Sequence, residues 1–309
     1  MNHPITIRMG GYGPATTSFS RGLKLIGDRL AAEFGDAVAV TYVWNIMDEG
    51  YRAEDILWLV ERGALTLGYQ SSSYLADRVI ELGVVDLPFL FHSNDEARHA
   101  MDGRLGLALT RAIEAKLNYR IVGFFENGFR HLSNRLRPVR SPADLAGLRI
   151  RVLPSRVHAR TFELLGAVPV PLDLTEAIAA IKAGTLDAQE NPLANTVTYG
   201  VHAFHKFHTL TAHFYISRPI FVNRTAFDGW PERLKQALRA AATAAVSMQR
   251  ELAGIEDAAA RAAIEASAGL ITELGARERQ AFAAALHPIY TEVRQTHGGE
   301  ILKLLPRDI

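Results

Sequence analysis

The stretch Ser141-Pro142-Ala143-Asp144-Leu145-Ala146-Gly147-Leu148-Arg149-Ile150-Arg151-Val152-Leu153 decides the fold. Ser141 is an N-cap residue, Pro142 stands at the first helical position and Asp144 is an acid in the first turn, so a short turn opens here. Gly147 closes it, and a strand is expected from Leu148 to Leu153. Beyond it the pattern predicts a helix over Val157 to Leu165, a stop at Gly166, a strand over Val168 to Val170 and a helix over Thr175 to Lys182. That last helix is opened by the capping-box variant Asp173-Leu174-Thr175-Glu176. Strand, helix, strand, helix is the grammar of an α/β domain.

The same grammar fills the first half. Alternating Ile5-Thr6-Ile7-Arg8-Met9 precedes a helix whose apolar face is Phe19, Leu23, Ile26, Leu30 and Phe34. Next come the nearly continuous apolar run Val38 to Val43, suited to a buried parallel strand, a helix over Ala53 to Glu61, a stop at Gly63 and a strand over Ala64 to Leu67. Val60-Glu61-Arg62-Gly63-Ala64-Leu65-Thr66-Leu67-Gly68-Tyr69-Gln70 parallels Ile181-Lys182-Ala183-Gly184-Thr185-Leu186-Asp187-Ala188-Gln189-Glu190-Asn191, each reading helix, glycine, short strand, polar end. Helix-glycine-strand is common, so coincidence stands beside a repeat. In open parallel sheets ligands bind beyond the carboxyl ends of strands, and two facing lobes would aim both polar ends at one cleft.

The chain has 309 residues, about twice a typical domain. Two lobes are expected, residues 1–126 with 214–252 and residues 127–213 with 253–309, the chain crossing near 127, 213 and 253. After the strand His213 to Val222, the alanine-rich stretch from Pro231 to Ser267 would extend about 55 Å as one helix. It reads either as a helix running along both lobes, bent near Gly254, or as two helices with a hidden joint.

Composition narrows the function classes. The net charge is +1, from 34 basic and 33 acidic residues, with the signs interspersed, so no global field draws nucleic acid or an anionic membrane. No cysteine is present, which excludes thiolate metal sites and thiol nucleophiles. Met1-Asn2-His3-Pro4 runs straight into the first strand with no charged and apolar leader, so an export signal is read as absent from this sequence and removed. No apolar stretch reaches the ~18 residues that span a bilayer.

P-loop, G-x-S-x-G and H-E-x-x-H patterns are missing, and Gly10-Gly11-Tyr12-Gly13 fails the dinucleotide fingerprint at Thr16. His202, His205, His208 and His213 do not share one helical face and find no nearby acid to complete a metal shell. No catalytic residue, metal or cofactor is expected. Arg130 follows the apolar run Ile121 to Phe125, and Arg149 and Arg151 share one face of their strand, opposite Ile150 and Val152. They read as solvated, or as guanidinium groups that grip a carboxylate with two parallel hydrogen bonds.

With these residues assembled, the chain resembles the DctP-type solute-binding proteins of tripartite ATP-independent periplasmic (TRAP) transporters. The resemblance covers nearly the whole length. It is carried by Gly128-Phe129-Arg130, Ser141 to Val152, Leu165-Gly166-Ala167 and Asp187-Ala188-Gln189-Glu190-Asn191-Pro192, with Asp86-Leu87-Pro88-Phe89-Leu90-Phe91 and Thr211-Ala212-His213 as further landmarks. It implies a two-lobed periplasmic-binding-protein fold of type II, with a long C-terminal helix spanning both lobes. It also implies that Arg151 pairs with a ligand carboxylate, that Asn191 bonds the same group and that Arg130 assists. Leu174 stands where some relatives carry an aromatic wall.

The implied function is capture of a small organic carboxylate and its delivery to integral membrane TRAP subunits, by a periplasmic monomer that is not an enzyme. A cytoplasmic ligand-sensing module on the same fold is the alternative. A lyase would need Glu190 or His213 as a base beside the arginine. Residues expected at the cleft-facing ends are Tyr12, Trp44, Tyr69, Gln70, Tyr74, Asn127, Leu174, His213 and Tyr215, a set rich in rings. No cation beyond Arg130 and Arg151 stands out among them, so the ligand is expected to be a monocarboxylate with an aromatic or medium apolar body and an α-hydroxy or α-keto oxygen.

Overall fold

A computed structural model describes residues 3–306; Met1 and Asn2, where the reading of a missing leader begins, lie outside the described residues. The strands are β1 (Ile5–Gly10), β2 (Val38–Val43), β3 (Leu67–Tyr69), β4 (Tyr119–Asn134), β5 (Arg149–Val152), β6 (Val168–Pro171), β7 (Ala188–Asn191), β8 (Phe207–Asn223) and β9 (Leu270–Glu273). Packing divides the chain into two compact units. The first holds residues up to Ser71 with Thr110–Glu126 and Ser217–Gly254, and the second holds Ser72–Leu109, Asn127–Ile216 and residues from Ile255 onward.

In the first unit β1 lies parallel to β2 from Ile5↔Val38 to Gly10↔Val43 and meets β3 at Met9↔Leu67. β3 pairs antiparallel with β8, Tyr69 opposite Ile220. The helix Ser18–Phe34 is capped by Thr17, whose side chain accepts the Ser20 N–H, and it buries Leu23, Ile26 and Leu30.

The helix Glu232–Ala266 is continuous over 35 residues, passing through Gly254 without interruption. Within the first unit its Gln249 carboxamide accepts the Glu126 N–H at 2.8 Å and donates to the Glu126 carbonyl at 2.8 Å. A side chain thereby makes both bonds that a neighbouring strand would make.

In the second unit β5 is central. β6 lies parallel on one side, with Arg151↔Val170, and β7 on the other, with Arg151↔Gln189. β7 runs antiparallel to β4, with His131↔Asn191. The core gathers Leu148, Ile150, Val152, Phe162, Ala188 and Phe214. Ser141 and Asp144 form the capping box that the sequence announces.

Each unit therefore repeats one arrangement, a short strand (β3 or β7) flanked by a parallel partner and an antiparallel one. Both short strands follow a helix that ends on a left-handed glycine, Gly63 at φ 79° and Gly184 at φ 71°. β4 and β8 each contribute to both units, so the ladder β2-β1-β3-β8-β4-β7-β5-β6 is unbroken.

One segment differs from the sequence reading: residues 72–109, expected with the first lobe, pack with the second unit. The cause is a set of long-range anchors. Buried Asp86 accepts the Ser73 hydroxyl at 2.7 Å and the Ser155 hydroxyl at 2.6 Å. The Phe89 N–H donates to the His213 carbonyl at 2.7 Å, and the Tyr290 hydroxyl donates to the Pro88 carbonyl. The segment His202 to His208 is a short 3-10 turn (Val201–Ala203) leading into β8.

Candidate functional site

In the second unit the carboxyl ends of β5, β6 and β7 collect the polar residues. Alternation along β5 sends Arg149 and Arg151 to one face, yet Arg149 is exposed and Arg151 is 1% exposed. The Arg151 Nε and Nη2 donate to the Leu172 carbonyl at 3.0 and 2.9 Å, and Nη2 also donates to the Tyr74 hydroxyl at 2.9 Å. That hydroxyl accepts the Leu174 N–H at 3.1 Å. Leu172 follows β6, and Asp173 caps the helix Leu174–Lys182 by accepting the Thr175 N–H at 2.8 Å. Arg151, Tyr74 and Leu174 thus form one cluster. Among the described residues no carboxylate lies within 4.0 Å of the Arg151 guanidinium.

Arg130 is placed differently. Buried on β4, it makes a two-point ion pair with Glu190 on β7, through Nε to Oε2 and through Nη2 to Oε1 at 2.9 Å, and its Nη2 also reaches the Glu190 carbonyl at 2.6 Å. His213 Nε2 lies 3.8 Å from the same carboxylate, while its Nδ1 is hydrogen-bonded to Thr211 Oγ1 at 2.6 Å. Burial holds His213 well below the usual histidine range, with His131, Arg130 and His158 adding to the effect. Glu190 is thus committed to Arg130, and burial keeps the His213 ring neutral.

Asn191, one residue beyond Glu190, accepts the Asn195 amide at 3.2 Å, and Asn195 also donates to Asn127 at 3.1 Å. Tyr215 packs edge-on against Phe91 and Phe129, with centroids at 5.6 and 5.4 Å. His202, His205, His208 and His213 do not converge: His205 bonds Ser133 and His208 bonds the His205 carbonyl, each at 2.9 Å. Among the described residues no group of three potential metal ligands occurs.

In the first unit the Gly10-Gly11-Tyr12-Gly13 turn follows β1. A Cβ on Gly11 would lie 2.8 Å from the Trp44 carbonyl and 3.1 Å from the Tyr69 hydroxyl, which explains the glycine. Tyr12, Phe19, Tyr69 and Phe125 form a buried ring cluster with centroids 5.2–6.0 Å apart. Gln70 spends its carboxamide locally, donating to the Ala53 carbonyl and accepting the Ser71 N–H, each at 2.8 Å. Trp44 stacks on Tyr42 at 4.2 Å.

Arg218 is the residue that sequence reasoning missed. It sits on β8, buried, with its guanidinium carbon 3.9 Å from the Phe19 centroid and 5.0 Å from that of Tyr12. It belongs to the apolar run from Tyr215 to Val222, where sequence alone gives no reason to expect a cation resting on rings.

The family model for bacterial extracellular solute-binding proteins of family 7, DctP, matches residues 48–296. The chain belongs to this family. The 2,3-diketo-L-gulonate-binding periplasmic protein YiaO of Escherichia coli is 32% identical over 74% of this chain and 68% of its own length. Two solved TRAP periplasmic solute-binding proteins, each 25% identical, share the fold. The one from Polaromonas, bound to D-erythronate, has a TM-score of 0.91 over 98% of this chain and 99% of its own. The one from Chromohalobacter salexigens, with bound D-glucuronate, has a TM-score of 0.90 over 97% of both. The fold is thus the two-lobed α/β fold of the TRAP receptors, and this DctP chain is a solute-binding protein of the TRAP class. No helix among the described residues is long and apolar enough to cross a membrane.

Proposed function

We propose that this DctP protein is a periplasmic, monomeric receptor that binds a polyhydroxylated monocarboxylate, a sugar acid or keto sugar acid, and hands it unchanged to integral membrane TRAP subunits. One observation carries the reading: Arg151 is a buried cation whose only partners among the described residues are a carbonyl and a phenol. A buried guanidinium without an anion is costly, and a ligand carboxylate supplies the missing charge. Arg130 is already neutralised by Glu190 and serves to hold the backbone that presents Asn191.

The ligand body follows from two considerations. Tyr69 and Tyr215, expected to wall an aromatic ligand, are buried among other rings, which removes much of the case for an aromatic body. The ligands named for the three proteins above, 2,3-diketo-L-gulonate, D-erythronate and D-glucuronate, are monocarboxylates rich in hydroxyl or keto oxygens, whereas two other relatives are named for C4-dicarboxylates.

A thermal-shift series tests this. D-erythronate, D-glucuronate and 2,3-diketo-L-gulonate should raise the melting temperature, because a ligand that binds only the native state stabilises it by mass action. Succinate and phenylpyruvate should do so far less. Stabilisation by phenylpyruvate or succinate alone would refute the sugar-acid reading, and NMR of the recovered acid showing a product would refute the receptor reading.

A further inference from the structure

One carboxamide governs two others in the second unit. Asn195 stands on the short helix Leu193–Thr198, and its Nδ2 donates to Asn127 Oδ1 at 3.1 Å and to Asn191 Oδ1 at 3.2 Å. An amide NH2 carries two hydrogens, so this one is fully spent on two carbonyl oxygens. All three side chains are buried, with 7% of Asn127, 4% of Asn191 and 8% of Asn195 exposed. Buried amides in contact must set donor against acceptor, and Asn195 therefore decides which end of Asn191 is turned away from it. That end is the NH2, and among the described residues no acceptor takes it.

The strand register shows where this NH2 can be used. Arg151 on β5 pairs with Gln189 on β7, and Asn191 lies two residues further along β7, on the same face and about 7 Å nearer its carboxyl end. Gln189 is committed elsewhere, donating to Thr196 Oγ1 at 3.1 Å. A carboxylate offers acceptors only. An Asn191 that presents its NH2 can bond such a group, and one that presented Oδ1 would repel it.

We infer that Asn195 is a positioning residue that sets the polarity of the site: it holds the Asn191 oxygen toward itself and leaves the NH2 for the ligand. Acting through Asn191, it makes the site choose a carboxylate over the matching carboxamide, whose own NH2 would be set against that of Asn191.

This inference rests on the proposed grip of Arg151 and Asn191 on a ligand carboxylate, and its test separates the two. Calorimetry, with NMR titration for weak binding, is carried out on the full chain with D-erythronate, D-glucuronate and the neutral amides of both acids. Wild type, Asn195→Asp, Asn195→Leu and Arg151→Ala are compared, with melting curves to show that each is folded. An aspartate at 195 only accepts, so Asn191 must turn its NH2 toward it and its oxygen toward the ligand. The acids should then bind about 10- to 100-fold more weakly, as expected for one hydrogen bond to a charged group. The amides should bind more tightly than they do to wild type, a gain that neither charge repulsion nor a loosened fold would produce. Asn195→Leu, which fixes neither end, should show a smaller acid-over-amide preference than wild type. Wild-type affinity for the acids in Asn195→Asp, or a loss there without a gain for the amides, would overturn the inference. Should Asn195→Asp not fold, an unchanged acid-over-amide preference in Asn195→Leu overturns it alone. In each of these cases, loss of acid binding in Arg151→Ala leaves the proposed function standing. Wild-type affinity in Arg151→Ala, or no binding of either acid by wild type, would sink the proposed function with it.

Discussion

Arg130 lays its guanidinium along the buried carboxylate of Glu190 and reaches back to the Glu190 carbonyl at 2.6 Å, joining β4 to β7 one residue before Asn191. The pair is closed on itself. Its worth is positional, since an ion pair of this kind adds little net stability but becomes costly once broken.

Arg130→Ala or Glu190→Gln should therefore destabilise the protein by about 3–5 kcal/mol, while an apolar double replacement such as Arg130→Met with Glu190→Leu should recover much of that loss. Urea unfolding of the three variants measures it. Equal losses in the single and double variants would contradict the argument.

Arg151 should behave in the opposite way. Arg151→Ala should cost little stability yet weaken sugar-acid binding by about 30- to 4000-fold, the range for truncating one partner of a buried charge pair. Arg151→Lys should recover part of the affinity, since an ammonium keeps the charge but not the planar donor set. Calorimetry beside a melting curve checks both effects.

Stability should fall as the medium is acidified. Burial is the first cause that lowers His131 to about 4, His205 to about 3 and His208 to about 4, against about 6.5 in the unfolded chain. The Ala212 N–H donating to His131 Nδ1 at 3.1 Å also requires that nitrogen to be unprotonated. Between about pH 6.5 and 4 the unfolded state binds protons that the folded state refuses. The stability these rings contribute is thus present above about pH 6.5 and lost below it, by up to about 1.4 kcal/mol per pH unit for each histidine. Urea midpoints of the ligand-free protein at pH 7, 6 and 5 report the slope, and a flat profile would contradict it.

Three glycines should separate by backbone angle. Gly63 and Gly184 are left-handed and their Cβ positions meet only ordinary contacts, at 3.7 and 3.8 Å. Alanine there should cost about 1–2 kcal/mol from conformation alone. Gly254 lies inside the helix Glu232–Ala266 with nothing within 4 Å of its Cβ position, so Gly254→Ala should stabilise by up to about 1 kcal/mol. Melting temperatures of the three variants decide.

What could be read from the sequence was local. The capping box at Ser141, the glycine stops and the alternation that put Arg149 and Arg151 on one face depend on residues within a few positions of one another, and they placed the strands of the second unit to within a residue or two; Arg151 was set apart from Arg149 only by the resemblance. What escaped was tertiary. Residues 72–109 follow the second unit because Asp86 meets Ser155, 69 positions away. Glu190 neutralises Arg130 across 60 positions, and no periodicity signals such a partner. Arg218 hides in an apolar strand because its companions are rings from distant elements. Gln70 looks like a ligand donor until Ala53 claims its amide.

The pair of hydrogen bonds between the Gln249 carboxamide and the Glu126 backbone makes the molecule its own reporter. The Glu126 amide hydrogen is sequestered by a helix side chain and not by a strand, so its exchange with deuterium registers whether the long helix is seated on β4 in the first unit. Single-residue exchange at position 126 would therefore time the unseating of that helix separately from the opening of the sheet.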